Sequence, residues 1–304
     1  MHICCFSYTN SAIDAHNCIF IRNLVMHKII LPTQQIGDFS ITAISDGYIS
    51  SSLDLLSNIN QMDAISLQKS AGVNDPSSIH INTYLIRGRD RTILIDTGAG
   101  GYKKWGGHLR TNLALAGVTP EDIDTILLTH AHPDHIGGLV DTFGEATFPR
   151  AELVIHEHEL SFWENDNNMI RASKRAQGNF LFAKNVFAKY KERIRTFIKN
   201  DILPGISSVH LPGHTPGHCG YRIECGNTSL LIWGDIVHFP FIQIVHPKVS
   251  IAFDQDPILA AQTRTELLDI VSTDKLLVAG MHLNDLGFAC IEHSSTSYKI
   301  SYKV

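Results

Sequence analysis

Residues 127–138 read LLTHAHPDHIGG, an apolar run followed by three histidines and an aspartate. The side chains of His130, His132, Asp134 and His135 are all polar, and each can bind a metal ion. Placing four such groups at the end of a strand costs solvation free energy without a gain in packing, unless a bound ligand compensates. The stretch therefore predicts a metal site directly after a buried strand.

Three further polar clusters follow short apolar stretches later in the chain. GHTPGH (213–218) follows SVHLP, Gly234-Asp235 follows LLIW, and His282 follows LLVAGM. Each is weak evidence alone, because Gly, Pro and Asp are also common in simple turns. Strand ends on a rigid scaffold can, however, bring side chains from distant sequence positions into one site. Their order after HAHPDH indicates that the four clusters form a single site.

The side chains of these clusters suit a pair of divalent transition-metal ions. His130 and His132 are two residues apart, so they share a direction in an extended chain, and a third histidine would complete a three-histidine site. Asp134 and His135 could hold a second ion, and Asp235 could bridge the two. Two ions roughly 3.5–4 Å apart can share a hydroxide and stabilise both the attacking and the leaving oxygen, which is the chemistry of hydrolysis.

The composition is that of an ordinary globular protein of 304 residues, with 44% hydrophobic and 18% charged residues. The net charge of −5 argues against a nucleic-acid partner, since phosphate binders usually carry a basic stripe. No apolar run reaches the roughly 18 residues of a membrane span, so no membrane association is expected. The six cysteines form no CxxC pair and no disulfide framework, which favours free thiols and a cytoplasmic location.

The hydrophobic pattern predicts a layered α/β domain with helices outside two sheets. Strands are expected near residues 39–44, 82–88, 92–98, 126–128, 152–156, 207–211, 220–224, 229–233 and 275–280, the last being the final clear strand. Helices are expected over 108–116, most of 157–198, and 256–271, whereas SDG (45–47) is predicted to be a turn. No linker is visible, so residues 26–304 are interpreted as a single hydrolase domain and residues 1–25 as a disordered or misassigned N-terminal extension.

The motifs HAHPDH, GHTPGH, WGD and AGMH, in this order, resemble the metallo-β-lactamase fold superfamily. Within it, IGDFSITAISDG, ILIDTGAG, WGDIVH and DPILAAQTRTELL are most similar to the methyl parathion hydrolase-like group and to quorum-quenching lactonases. The resemblance spans about residues 36–290, nearly the whole chain. It implies an α/β fold of the αββα sandwich type, in which two mixed β-sheets are flanked by helices and metals bind at the sheet edges.

The family pattern implies roles for the clustered residues. One divalent ion would be bound by His130, His132 and His214, the other by Asp134, His135 and His282, and both would be bridged by Asp235. Asp134 and Asp235 would be the catalytic carboxylates, with Asp134 able to accept a proton from the attacking water. Asp96, in DTG, would orient a ligand, and Thr215 and His218 could do the same. Zn²⁺ is the favoured metal, although Mn, Fe and Co accept the same ligands.

The substrate pocket is predicted from weaker signals. Tyr102, Trp105 and Trp163 fall where related enzymes place aromatic pocket residues, although core or surface positions would explain them equally well. After the last histidine the chain reads LNDLGF (283–288) in place of the Phe-Pro-Gly stretch common in the family, so this part of the pocket rim is expected to differ. His156 and His158 form another HxH pair, interpreted as solvated because no carboxylate completes a site.

The favoured function is that of a dinuclear metal-dependent hydrolase, which uses a metal-bridging hydroxide to cleave a small lactone, ester or phosphotriester. Lactones of the acyl-homoserine lactone type are favoured, because phosphotriesters are mostly synthetic. The main alternative is an organophosphate hydrolase of the methyl parathion type. Less favoured are a β-lactamase, a thioester hydrolase, a nuclease of the same fold, and a protein that uses the metal without catalysis. A small molecule is the expected partner, and the resemblance leaves a homodimer open.

Overall fold

A computed structural model describes residues 31–295 and 297–303. The predicted N-terminal extension, residues 1–25, and the predicted domain start at residue 26 lie outside these described residues. The described strands, numbered in chain order, are β1 Thr33–Ile36, β2 Phe39–Ser50, β3 Leu56–Ser57, β4 Ser78–Gly88, β5 Arg91–Ile95, β6 Thr125–Leu127, β7 Glu152–His156, β8 Ile194–Phe197, β9 Asp201–Leu203, β10 Ile206–His210, β11 Cys219–Cys225, β12 Thr228–Ile232, β13 Ser250–Ile251, β14 Leu277–Ala279, β15 Phe288–Ser294 and β16 Ser297–Tyr302.

The α-helices of the same residues are α1 Gln61–Ser70, α2 Leu109–Leu115, α3 Pro133–Ile136, α4 Glu157–Glu164, α5 Asp166–Arg171, α6 Lys174–Tyr190, α7 Pro240–Gln243 and α8 Pro257–Thr273. Local sequence explains where the longest of them begin. Ser173 caps α6 by accepting a hydrogen bond from a backbone N–H, and Asp256 caps α8 in the same way ahead of Pro257 at the first helical position. These side chains satisfy amide groups that the first turn of a helix leaves unpaired.

Fourteen of the strands form two seven-stranded sheets. The first has the order β1-β2-β4-β5-β6-β7-β8, and the second has the order β16-β15-β14-β12-β11-β10-β9. In the first sheet β5, β6, β7 and β8 are parallel neighbours, whereas β1, β2, β4 and β5 pair antiparallel. In the second sheet β12 and β14 are parallel and the other neighbours antiparallel. Both sheets are therefore mixed, as predicted.

Alternate residues of the strands face different layers, which shows how the sheets stack. In β5, Leu94 packs with Leu113 of α2 and Phe187 of α6, whereas Ile93 and Ile95 pack toward the second sheet. In β12, Leu230 and Ile232 belong to this same inter-sheet core, whereas Leu231 packs with Leu268 of α8. Strands buried on both faces are apolar at every position, which explains their continuous hydrophobic runs. The layers are helix, sheet, sheet, helix, so the predicted αββα sandwich is confirmed.

Two local predictions were wrong. SDG (45–47) is not a turn, because β2 continues to Ser50 and accommodates a register shift between Ser45 and Gly47. A bulge adds a residue to one strand without ending it, and Gly47 takes the positive φ of 118° that such irregularities favour. The stretch 275–280 is not the final strand either, since β15 and β16 follow it as an antiparallel pair at the sheet edge.

Candidate metal centre

The predicted metal ligands all lie just beyond the carboxyl ends of strands. His130 and His132 follow β6, and the one-turn helix α3 carries Asp134 and His135. Pro133 occupies the first position of that helix, where its fixed φ and missing N–H carry no penalty. In the second sheet β10, β12 and β14 run in the same direction, so the residues that follow them reach one edge. Those residues are His214, Asp235 and His282.

The structure brings these seven side chains into two groups of potential metal ligands. The groups are His130, His132 and His214, and Asp134, His135, Asp235 and His282. Within each group, the ligand atoms lie within 4.8 Å of one another. Asp235 lies between the groups, since its Oδ2 is 3.4 Å from His214 Nε2 and 3.2 Å from His135 Nε2. The carboxylate is therefore within reach of both groups.

The potential ligand atoms of the first group converge closely. His132 Nδ1 lies 3.0 Å from His130 Nε2 and 2.9 Å from His214 Nε2. Burial, and then the neighbouring histidines, hold the pKa of His130 and of His132 well below the usual value, so both rings are neutral. His135 Nε2 and Asp235 Oδ1 are buried without a hydrogen-bond partner. Converging lone pairs and an unpartnered carboxylate oxygen fit bound metal ions, because buried polar atoms otherwise find partners.

Asp96 orients one of the ligand rings. Its Oδ2 is 2.7 Å from His135 Nδ1, and the same carboxylate accepts hydrogen bonds from the backbone and hydroxyl of Thr129. Nε2 of His135 is thereby directed at Asp235. Asp96 has a left-handed backbone, with φ at 56°, a conformation that residues other than glycine retain only where the surroundings impose it. This geometry matches the role that the family resemblance implied for Asp96.

The two other predicted supporting residues act on the loop of GHTPGH. His218 donates from Nδ1 to the carbonyl of Leu211 at 2.7 Å, so its Nε2 is free to accept from the backbone N–H of Asp235 at 2.9 Å. Thr215 donates to the carboxylate of Glu159 at 2.6 Å. Neither side chain faces the metal centre directly. Both hold the backbone that carries a ligand.

Sequence reasoning missed three residues around the centre. Glu159 is fully buried and accepts hydrogen bonds from Ala131 N and Gly217 N, which belong to two different ligand-bearing loops. Asp254 accepts from His214 Nδ1 at 2.8 Å. His238 Nε2 lies 3.1 Å from Asp235 Oδ2. Of the three, only His238 could have been predicted from the sequence, because it is a histidine three residues after Asp235 in WGDIVH. Glu159 and Asp254 lie in segments whose local sequence pattern indicates only helix starts and turns.

Asp254→Asn tests the orienting hydrogen bond to His214. We expect the affinity for metal to fall by about 10- to 100-fold, because loss of a partner on the far side of a ligand ring has effects of this size. Metal content after dialysis against graded metal buffers measures the effect. Asp256→Asn is the matched control, since Asn caps a helix as well as Asp does. Equal affinities in both variants would contradict the assignment.

A cavity of about 240 Å³ opens over the ligands. Its floor includes the carboxylates of Asp134 and Asp235, and its walls include Ile49, Leu55, Ile79, Trp105 and Phe253. Two cationic side chains, Lys103 and Arg175, also line it. The ligand centre is thus reached through a mainly apolar pocket with two positive charges in its lining.

The three aromatic residues predicted for the pocket differ in position. Trp105 lines the cavity as predicted. Tyr102 does not, and it packs against the Trp105 ring with 5.8 Å between centroids. The prediction for Trp163 was wrong, because its side chain is only 1% exposed and packs against Phe180 in the helical layer. Trp163 lies four residues after Glu159 on α4, so both face inward, and its indole donates to Glu159. Trp163 therefore supports the candidate metal centre through Glu159.

Trp105→Ala tests the cavity wall. Removing a half-buried ring from the pocket is expected to raise KM for a substrate with a long apolar chain by about 10-fold, since roughly 1–3 kcal/mol of apolar contact is lost. The KM for a short-chain analogue should change little. Steady-state kinetics on the two substrates measures the difference, and an equal change for both would show that Trp105 does not contact the chain.

The fold and the donor set define a class, the metal-dependent hydrolases. A family model described as the Metallo-beta-lactamase superfamily matches residues 79–282, and the chain belongs to this superfamily. The probable metallo-hydrolase YqgX of Bacillus subtilis is 30% identical over 164 residues, which is 52% of this chain and 67% of that protein. Across the curated relatives YobT and YqgX, the matched part spans 62–67% of their length.

Two solved structures resemble the whole described fold. The hydrolase AbOPH of the β-lactamase superfamily has a TM-score of 0.84 and 31% identity, covering 90% of this chain and 97% of its own. AidC, a dizinc quorum-quenching lactonase solved with the product N-hexanoyl-L-homoserine, has a TM-score of 0.84 and 26% identity over the same shares. The predicted family is thereby confirmed. Among the described residues, no helix has both the length and the hydrophobicity to cross a membrane.

Proposed function

We propose that the protein is a dinuclear metal-dependent hydrolase that opens a small lactone, with an acyl-homoserine lactone as the favoured type. One observation carries the proposal. Asp235 Oδ2 is within 3.1–3.8 Å of ring nitrogens from both ligand groups, at the floor of an apolar cavity. A single carboxylate within reach of both ligand groups suits a pair of divalent ions.

Each of the two ligand groups would hold one metal ion, and Asp235 would be shared between the two ions. When bound, two such ions lower the pKa of coordinated water toward neutrality and polarise the oxygen of the scissile group. The chain itself supplies the orientation of the ligands through Asp96, Asp254 and the carbonyl of His80, which is 2.7 Å from His282 Nδ1. These bonds allow the centre to act without rearrangement, which is the basis of electrostatic preorganisation.

Asp134 is the residue placed to move a proton. It is the most exposed of the seven ligands, with 15% of its side chain accessible, and it lines the cavity. Its carboxylate lies 3.5 Å from His135 Nε2 and 3.6 Å from His282 Nε2. Burial alone would raise the pKa of Asp134, but the neighbouring His135, followed by His282, keeps it below its usual value, so the group is ionised.

The cavity supports an acyl lactone as the substrate. Ile49, Ile79, Trp105 and Phe253 offer apolar contact for an acyl chain. Opening of a lactone produces a carboxylate, and the positive charges of Lys103 and Arg175 in the lining favour that product. The relative AidC was solved with such a product. A neutral phosphotriester would use the apolar walls equally well, so organophosphate hydrolysis is kept as the second candidate.

A comparison of rates on metal-loaded protein tests the proposal. N-hexanoyl-homoserine lactone, methyl parathion, a p-nitrophenyl ester and nitrocefin are run side by side. We expect the lactone to have the highest kcat/KM. A higher value for methyl parathion would assign the protein to the second candidate. If nitrocefin had the highest kcat/KM, both candidate functions would be overturned in favour of a β-lactamase.

A further inference from the structure

Three histidines form a second cluster outside the catalytic cavity. His156 ends β7, His158 lies in the first turn of α4, and His210 ends β10. The expectation that the HxH pair is solvated was wrong for His156 and is confirmed for His158. His156 is only 5% exposed and caps α4 by accepting from the backbone N–H of His158, whose own side chain is exposed. The third member, His210, comes from the other sheet.

The imidazoles approach one another closely. Potential ligand atoms of the three residues lie within 4.8 Å of one another. The rings of His156 and His210 are stacked with centroids 5.0 Å apart, and the centroid of His158 is 5.0 Å from that of His156. Among the described residues, no acidic side chain forms an ion pair with any of the three. No carboxylate therefore competes for their ring nitrogens. Nδ1 of His156 accepts from His158 N, so a metal ion would bind this ring at Nε2 and end that hydrogen bond.

The hydrogen bond of His210 selects its tautomer. Its Nε2 is 3.0 Å from the carbonyl oxygen of Pro216, which can only accept, so Nε2 carries the proton. Nδ1 of His210 is then an unprotonated donor. A ligand histidine that donates its other N–H to a backbone carbonyl is the usual arrangement in protein metal sites.

We propose that His156, His158 and His210 form a further metal site, which takes a single divalent transition-metal ion such as Zn²⁺. Three imidazoles without thiolate or carboxylate suit Zn²⁺, Ni²⁺ or Cu²⁺ and do not suit Mg²⁺ or Ca²⁺. Two nitrogens bound to one tetrahedral zinc ion are about 3.4 Å apart, given bond lengths of about 2.1 Å. Binding therefore requires the exposed rings of His158 and His210 to rotate toward His156, which unstacks His210 from that buried ring.

The location gives this site a structural consequence. His158 is next to Glu159 on α4, and His210 precedes the ligand His214 by four residues. An ion here would connect the β7–α4 segment to the loop of GHTPGH, the same two parts that Glu159 connects through Thr215 and Gly217. Its occupancy would stabilise the loop that carries His214, and this does not depend on which reaction the cavity performs.

The test counts zinc and measures thermal stability. Full-length protein carrying Asp235→Asn, which impairs the main centre, is compared with the same protein carrying His158→Ala and His210→Ala in addition. Under excess Zn²⁺ we expect the first to bind about one more equivalent than the second. We also expect Zn²⁺ to raise Tm in the first and to have a smaller effect in the second, because a ligand that binds only the folded state stabilises it.

A matched pair of exposed histidines provides the control. His246 and His293 are exposed and lie outside the cluster, so His246→Ala with His293→Ala should leave both readouts unchanged. Equal zinc content with and without His158 and His210 would overturn the proposal and identify the cluster as a simple ring stack. If the control pair also lowered the zinc content and the zinc-dependent rise in Tm, the proposal would be overturned in favour of unspecific binding to surface histidines. Circular dichroism without zinc shows that each variant is folded.

Discussion

Asp235→Asn is expected to lower kcat/KM on the best substrate by about 10³-fold or more and to lower metal content at the same time. The side chain keeps its size, so the core around it is not disturbed. What is lost is the negative charge that lies 3.2 Å from His135 Nε2 and 3.1 Å from His282 Nε2. A loss of about 4 kcal/mol of transition-state stabilisation corresponds to this change in rate. Kinetics together with elemental analysis measures it.

The control for this prediction is Asp201→Asn, at an exposed aspartate of β9, which should behave as the wild type. Two outcomes would contradict the assigned role of Asp235. Full activity with reduced metal content would mean that the reaction does not need the bridged centre. Full metal content with full activity would mean that the carboxylate of Asp235 is dispensable, and that Asp134 is the carboxylate that the centre needs.

Glu159→Ala is expected to give the largest loss of stability, about 4 kcal/mol or more in the free energy of unfolding. Four donors point at this carboxylate, namely Ala131 N, Trp163 Nε1, Thr215 Oγ1 and Gly217 N. Each buried donor left without a partner costs about 1–3 kcal/mol. Urea-induced unfolding measures the loss, which corresponds to a decrease in Tm of roughly 10 °C.

Metal binding should weaken in the same variant, because Glu159 holds the loops of both His132 and His214. Glu159→Gln should have an intermediate effect, since its amide group cannot accept from Gly217 N as the carboxylate does. Glu157→Ala removes an exposed acid from the same helix and is expected to change stability little. A loss in Glu159→Ala no larger than in Glu157→Ala would show that the four hydrogen bonds do not stabilise the native state.

The accuracy of the sequence predictions depended on the distance over which the relevant interactions act. HAHPDH places four candidate ligands within six residues, so the local pattern alone predicts that they are close. The hairpin of β4 and β5 and the helix after Asp256 were likewise predicted, because turns and caps are local. Trp163 was misplaced because its assignment rested on the family resemblance alone, and no local pattern shows that the ring is buried against Phe180. The burial of His156 was missed because the absence of a carboxylate partner says nothing about how the tertiary structure packs around the ring.

The sequence by itself determined the residue types of the candidate metal centre, the apolar strands that precede them, and thereby the superfamily and its αββα layers. Tertiary structure alone decided which side chains support that centre. Glu159 reaches Ala131 and Gly217 across 28 and 58 residues, and Asp254 reaches His214 across 40. It also decided that His210 of one sheet meets His156 of the other. Such contacts depend on how the two sheets pack, and the hydrophobic periodicity of the sequence does not predict that packing.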